Sequence, residues 1–104
     1  MAVVRWSLAA EHDLQLIEDF VAGDSPLRAV AFVDRLVQSV GVLAVAPHLG
    51  RMVPELQRED LRELIFRGYR LVYLDRESEV TILRVVHGAR DLRSLAQREP
   101  WELS

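Results

Sequence analysis

The sequence predicts an α+β sandwich of order β-α-α-β-β-β-α, with a helical hairpin laid on one face of a mostly antiparallel sheet. Three observations lead there. Apolar residues recur at helical spacing in two successive segments before residue 46. From residue 61 the pattern turns extended, in three short runs separated by turn signals. The chain has 104 residues, 50% hydrophobic and 28% charged, which suffices for one core and not for two.

The elements follow in order. Val3-Val4-Arg5-Trp6 is β-rich and reads as a short strand. Ser7 then suits a helix N-cap, with Glu11 and Asp13 in the early turns where negative charge complements the dipole. Ala10, Leu14, Ile17 and Phe20 or Val21 form one stripe, and Gly23-Asp24 closes that helix. Ser25-Pro26 opens a second helix, with proline at the first helical position, where its missing N–H costs nothing. Ala29, Phe32, Val33, Leu36, Val40 and Leu43 carry its stripe through Gly41 to the stop at Ala46-Pro47. Residues 61–66 form the next strand, Arg67-Gly68 a turn, residues 69–74 another strand and 75–79 a polar hairpin. Residues 80–87 are apolar at nearly every position, as a central strand covered on both faces requires. Asp91 suits the cap of a final helix running to about Gln97, so residues 1–97 make one domain and 98–104 a tail.

Composition excludes several chemistries. Without cysteine there is no disulfide framework, thiolate metal site or cysteine nucleophile. His12, His48 and His87 are scattered, so no metal site is expected. No apolar run approaches the roughly 18 residues of a membrane span, and the N-terminus lacks a secretory layout, so a soluble intracellular protein is expected. Residues 1–57 carry four arginines against seven acids, and 58–98 carry nine against seven. All thirteen basic residues are arginine, so no lysine can serve as base or phosphate ligand.

Three groups of residues could carry chemistry. His87 with Arg90 and Asp91 could form an acid–base site, or His87 could bond backbone while Asp91 caps a helix. Arg51, Glu55, Arg62 and Glu63 could grip an anion, and are read as an ion-pair network fixing the 47–60 loop. Arg70 shares a strand face with Val72 and Leu74 and needs a partner, either Glu55, Glu63 or an external anion. Trp101 is tucked onto the domain or offered to a partner. There is no nucleophile elbow, phosphate-cradling glycine loop or dinucleotide fingerprint.

Five segments stand out in order: Trp6-Ser7 with Ala10, Asp13-Leu14 and Ile17; Pro47 to Arg51 with Pro54-Glu55; residues 61–65; residues 69–73; and residues 82–92. Taken together, over about residues 3–95, this set resembles the ParE-like branch of the RelE/ParE toxin superfamily. The resemblance implies a β-α-α-β-β-β fold and the toxin half of a bacterial type II toxin–antitoxin pair. It implies no cofactor, and a hetero-oligomer with a ParD-like antitoxin. ParE-like members are associated with poisoning DNA gyrase, so DNA would be met only through gyrase or the antitoxin complex. RelE-like members instead cut mRNA on the ribosome. The cleaving relatives place lysines on the strand matching 61–66 and a tyrosine near the C-terminus. Here the chain has no lysine, and residues 91–104 contain no tyrosine. A nuclease would have to use His87, Glu63, Arg70 and Arg90. Gyrase poisoning by binding is therefore expected, with ribosomal cleavage or an attenuated, antitoxin-binding member as alternatives. The target face is expected at Arg70, Arg84, Arg90, Arg93, Arg98 and Trp101, and the antitoxin at Leu14, Ile17, Phe32 and Leu36.

Overall fold

The computed structural model describes residues 1–88, 90 and 92–98. Asp91, Trp101 and the side chain of Arg98 lie outside the described residues. The elements are β1 (Val3–Trp6), α1 (Leu8–Ala22), α2 (Pro26–Ser39), β2 (Arg51–Met52), β3 (Leu61–Phe66), β4 (Tyr69–Asp75), β5 (Glu79–His87) and α3 (Leu92–Arg98). They form a mixed α+β fold with one five-stranded sheet in the order β1-β5-β4-β3-β2, in which only the β1–β5 pairing is parallel.

Local chemistry explains the helix boundaries. The Ser7 hydroxyl accepts from the Ala10 N–H at 3.0 Å and starts α1. Ser25 does the same for Arg28, with Pro26 behind it at the first helical position. The second helix is shorter than its stripe suggests. It ends at Ser39, and Gly41–Ala44 tighten into a 3-10 turn. Glycine weakens the α-helix there. The tighter turn still seats Leu43 in the core and aims the Ala44 carbonyl at the Ala2 N–H, 2.7 Å away.

Both sheet faces are covered. The helical hairpin packs Ala10, Ile17 and Leu36 on Leu71, Tyr73, Ile82 and Val85. On the opposite face α3 and the loop after β2 pack Leu92, Leu95 and Val53 on Val72 and Val86. Residues 71–74 of β4 are consequently buried on alternating sides of the sheet. Arg67 (φ 47°) and Gly68 (φ 86°) both take left-handed backbone, the demand of a two-residue hairpin turn between twisted strands.

Two irregularities position the functional surfaces. A bulge leaves Leu83 without a counterpart, since Val72 faces Arg84 and Tyr73 faces Ile82. The Ser7 hydroxyl donates to the Leu83 carbonyl at 2.8 Å, tying the start of α1 to the bulge. The second is the close crossing of the 47–50 loop, absent from the sequence expectation together with β2. The Gly50 N–H donates to Tyr73 Oη at 2.9 Å, and that hydroxyl donates to the Pro47 carbonyl at 2.8 Å. A Cβ at position 50 would lie 2.6 Å from the Glu63 carbonyl and 2.7 Å from Tyr73 Oη. Gly50→Ala is therefore expected to destabilise the fold by about 1–3 kcal/mol, measured by urea unfolding.

Candidate functional site

The loop between α2 and β3 is held by an ion-pair network built on the sheet. Glu63, cross-strand from Arg51, gives one oxygen to Arg51 Nε and the other to Arg70 Nε, both at 2.6 Å. The outer edge of the Arg70 fork is bidentate on Glu55, at 2.6 and 2.7 Å. Arg62 donates to the Gly50 carbonyl at 3.0 Å and lies 3.4 Å from Asp75, which also contacts His48. The Arg70 guanidinium holds the Glu55 carboxyl at about 2, against the opposing effect of burial, and the pairing raises Arg70 further above its ordinary range.

A carboxylate held below its ordinary value of 4.5 contributes stability that is complete above that value and is lost as pH falls through it toward about 2. Glu55→Gln is expected to flatten that acid limb and leave the neutral-to-alkaline side of the profile unchanged in slope. Far-UV circular dichroism across an acid titration measures it. An unchanged acid limb in the variant would count against the pairing.

The basic face expected from the sequence needs correction. Arg70 is buried between Glu55 and Glu63, and Arg84 is buried against Asp13 of α1, so neither lies on an exposed target surface. A guanidinium inside the protein must take a carboxylate, and these strands supply one each time. Glu63 is likewise buried with both oxygens engaged, which removes it as a ready general base. Arg90 and Arg93 are exposed. Arg93 reaches the Glu55 carbonyl at 3.5 Å.

The residues expected to meet an antitoxin lie in or against the core. Ile17 and Leu36 are core, and Leu14 and Phe32 pack against that core, Phe32 edge-on to Phe66 and Tyr69. Their stripe faces the sheet. The large apolar residues left outside on α1 are Leu8 (81% exposed), Leu16 (54%) and Phe20 (74%), the last two one helical turn apart.

Leu16 and Phe20 border an open cleft of about 190 Å³ between α1 and the end of β5. Asp13, Ile17, Tyr69, Val85, Val86, His87 and Arg90 complete its lining. The cleft exists because β1 pairs with β5 only as far as Trp6 opposite Ile82. Beyond that point α1 runs beside β5, and Asp13 takes the place of a strand. Its carboxylate accepts from the Val85 N–H at 2.8 Å and from Arg84 Nε and Nη2 at 2.8 and 3.0 Å. At the far end His87 meets the Tyr69 ring edge-on at 5.7 Å, and the chain turns so that the Arg90 N–H donates to the His87 carbonyl. The cleft thus joins an apolar wall to a cationic end. Among the described residues no group of histidine and carboxylate side chains could hold a metal ion. No helix among them is long and apolar enough to cross a membrane.

This architecture has known relatives. The sequence model described as the ParE toxin of the type II toxin–antitoxin system parDE matches residues 4–92. Toxin RelE2 of Caulobacter vibrioides is 36% identical over 91 residues, covering 86% of this chain and 99% of that protein. A chain of the chromosomal ParDE system of P. aeruginosa shares the fold with a TM-score of 0.72 at 23% identity, over 84% of this chain and 96% of that one. A chain of the RelBE2 toxin–antitoxin complex of Mycobacterium tuberculosis gives a TM-score of 0.54 at 27% identity, over 83% and 96%. The chain accordingly belongs to the ParE toxin family of type II toxin–antitoxin systems, within the RelE/ParE superfamily.

Proposed function

We propose that this toxin acts by binding a macromolecular target, DNA gyrase, and that a ParD-like antitoxin neutralises it. The observation that carries this reading is the state of the charged groups. Cleavage of a phosphodiester needs a base, an acid and cations free to meet the developing charge. Here Glu63 and Arg70 are locked into one buried network, and the chain has no lysine to replace them. A binding toxin needs only an exposed surface, and Arg90 and Arg93 remain available for acidic protein or for DNA held by gyrase. The match to the ParE family along residues 4–92 supports the choice of gyrase. Arg98 and Trp101 belong to the same proposal as candidate contacts.

The antitoxin is assigned to the cleft beside α1. Leu16 and Phe20 offer anchors for an apolar segment, and Arg90 with His87 suits acidic residues at its end. Ribosome-dependent mRNA cleavage is the second reading, favoured by the 36% identity to Toxin RelE2 and by the exposure of His87 and Arg90 at one cleft.

Purified toxin tested on gyrase supercoiling and DNA cleavage, beside ribosome-programmed mRNA cleavage, separates the two. Trapped DNA breaks that vanish on adding the antitoxin are expected. Cleaved mRNA with unaffected gyrase would overturn the proposal in favour of His87 and Arg90 as catalytic groups. Silence in both assays would point to an attenuated member. In the expected case Arg90→Ala weakens the gyrase effect about tenfold or more while leaving the thermal midpoint unchanged.

A further inference from the structure

We propose that a groove on the α3 face of the sheet is a seat for the indole of Trp101, carried there by the chain's own C-terminal tail. The groove holds about 240 Å³ and is lined by Leu74, Arg76, Glu79 and Thr81. Engineered cavities of about 150 Å³ already admit benzene, so an indole has room. Leu74 and Thr81 face each other across β4 and β5 and supply the apolar part. Arg76 and Glu79 supply the polar part at the hairpin end, where the Arg76 N–H donates to the Glu79 carbonyl at 3.0 Å. A guanidinium suits the face of an indole, and a carboxylate suits its N–H.

The tail is the occupant within reach. Leu92 and Leu95 of α3 pack on Val72 and Val86, and Leu74 lies two residues along β4 from Val72 on the same face. That step is about 7 Å. Trp101, outside the described residues, follows the end of α3 at Arg98 by three residues, which span up to about 10 Å when extended. Pro100 cannot prolong the helix and disfavours helical backbone at Glu99, so the sequence ends α3 at the place observed. The charges agree as well. Glu99 and Glu102 flank Trp101 in sequence, while Arg76 lines the groove and Arg5 reaches Glu79 at 3.5 Å. Val3 shares this face through its register with Glu79 and is 59% exposed, an apolar neighbour that a seated tail shields.

The tail lies beyond the family match, which ends at residue 92, and the seat holds whether or not gyrase is the target. A seated Trp101 reaches a target only by leaving the groove. The test uses the full chain carrying Trp6→Phe, which leaves Trp101 as its one tryptophan. Acrylamide is expected to quench its fluorescence at least about threefold less in the folded protein than in urea. Thr81→Glu puts a charge in the groove and should restore quenching to the value in urea, with far-UV circular dichroism unchanged. A nuclear Overhauser contact between the Trp101 ring and the Leu74 methyls is expected in the unsubstituted protein. Full quenching in the folded parent, or protection that survives a folded Thr81→Glu, overturns the seat. Protection that appears only as protein concentration rises gives the groove to the tail of a second copy and overturns the internal assignment. Should Thr81→Glu not fold, the Overhauser contact decides: its presence supports the seat, and its absence overturns it.

Discussion

Asp13→Ala is expected to destabilise the protein by about 3–5 kcal/mol, a large share of the roughly 5–15 kcal/mol that holds a domain folded. One buried carboxylate accepts from Arg84 twice and from the Val85 N–H, at a point of β5 beyond its last pair with β1. Its removal takes the counter-charge from a buried guanidinium and the acceptor from a sheet amide together. Asp13→Asn keeps the shape and an acceptor but not the charge, and should fall between alanine and wild type. The double variant Asp13→Leu, Arg84→Met removes both charges and should regain much of the loss, because an apolar pair of similar volume avoids desolvating two ions. Urea unfolding of the four proteins measures the series. An alanine variant within about 1 kcal/mol of wild type would mean that the carboxylate is not the staple its geometry describes. Asp13 also lines the cleft, so a displaced α1 should weaken antitoxin binding in the same variants.

That staple shows where sequence reading succeeds and where it stops. The helices and the three long strands were legible because burial imposes period on them: 3.6 at Ala10, Leu14 and Ile17, near-continuous apolarity at Val80 to Val86. The two-residue strand Arg51–Met52 carries no period and was not legible. Arg84 stood out as a cation in an apolar run, but its partner lies 71 residues earlier, where Asp13 looked like an ordinary acid in an early helical turn. Only the closed fold brings them together. The burial of the residues expected to meet the antitoxin has a different cause. A stripe identifies the face a helix buries, so choosing Leu14, Ile17, Phe32 and Leu36 from the stripe selected the core. An exposed apolar residue is signalled instead by lying off the stripe. Leu8 and Leu16 do so, and Phe20 joins them once the structure gives the inner position to Val21.

Replacing both Leu16 and Phe20 by alanine is expected to lower affinity for the antitoxin by about 100- to 1,000-fold, as the loss of two apolar anchors in one interface does. Stability should barely change, because both side chains are largely exposed in the isolated toxin and alanine is an excellent helix former. Leu27→Ala, 85% exposed on α2 and outside the cleft, is the control that should bind normally. Leu36→Ala, at a core position outside the cleft, gives the opposite signature. It removes a core side chain and should cost about 2–5 kcal/mol in unfolding free energy, with binding reduced only as the fold is lost. Binding by calorimetry and unfolding by urea, run on wild type and these three variants, therefore place the interface on the outer or the inner face of the hairpin. Normal binding by the Leu16, Phe20 double variant would reject the cleft. Weak binding by a fully stable Leu36→Ala would mean that the antitoxin enters the hairpin instead of lying beside it, with the helices separating from the sheet to admit it.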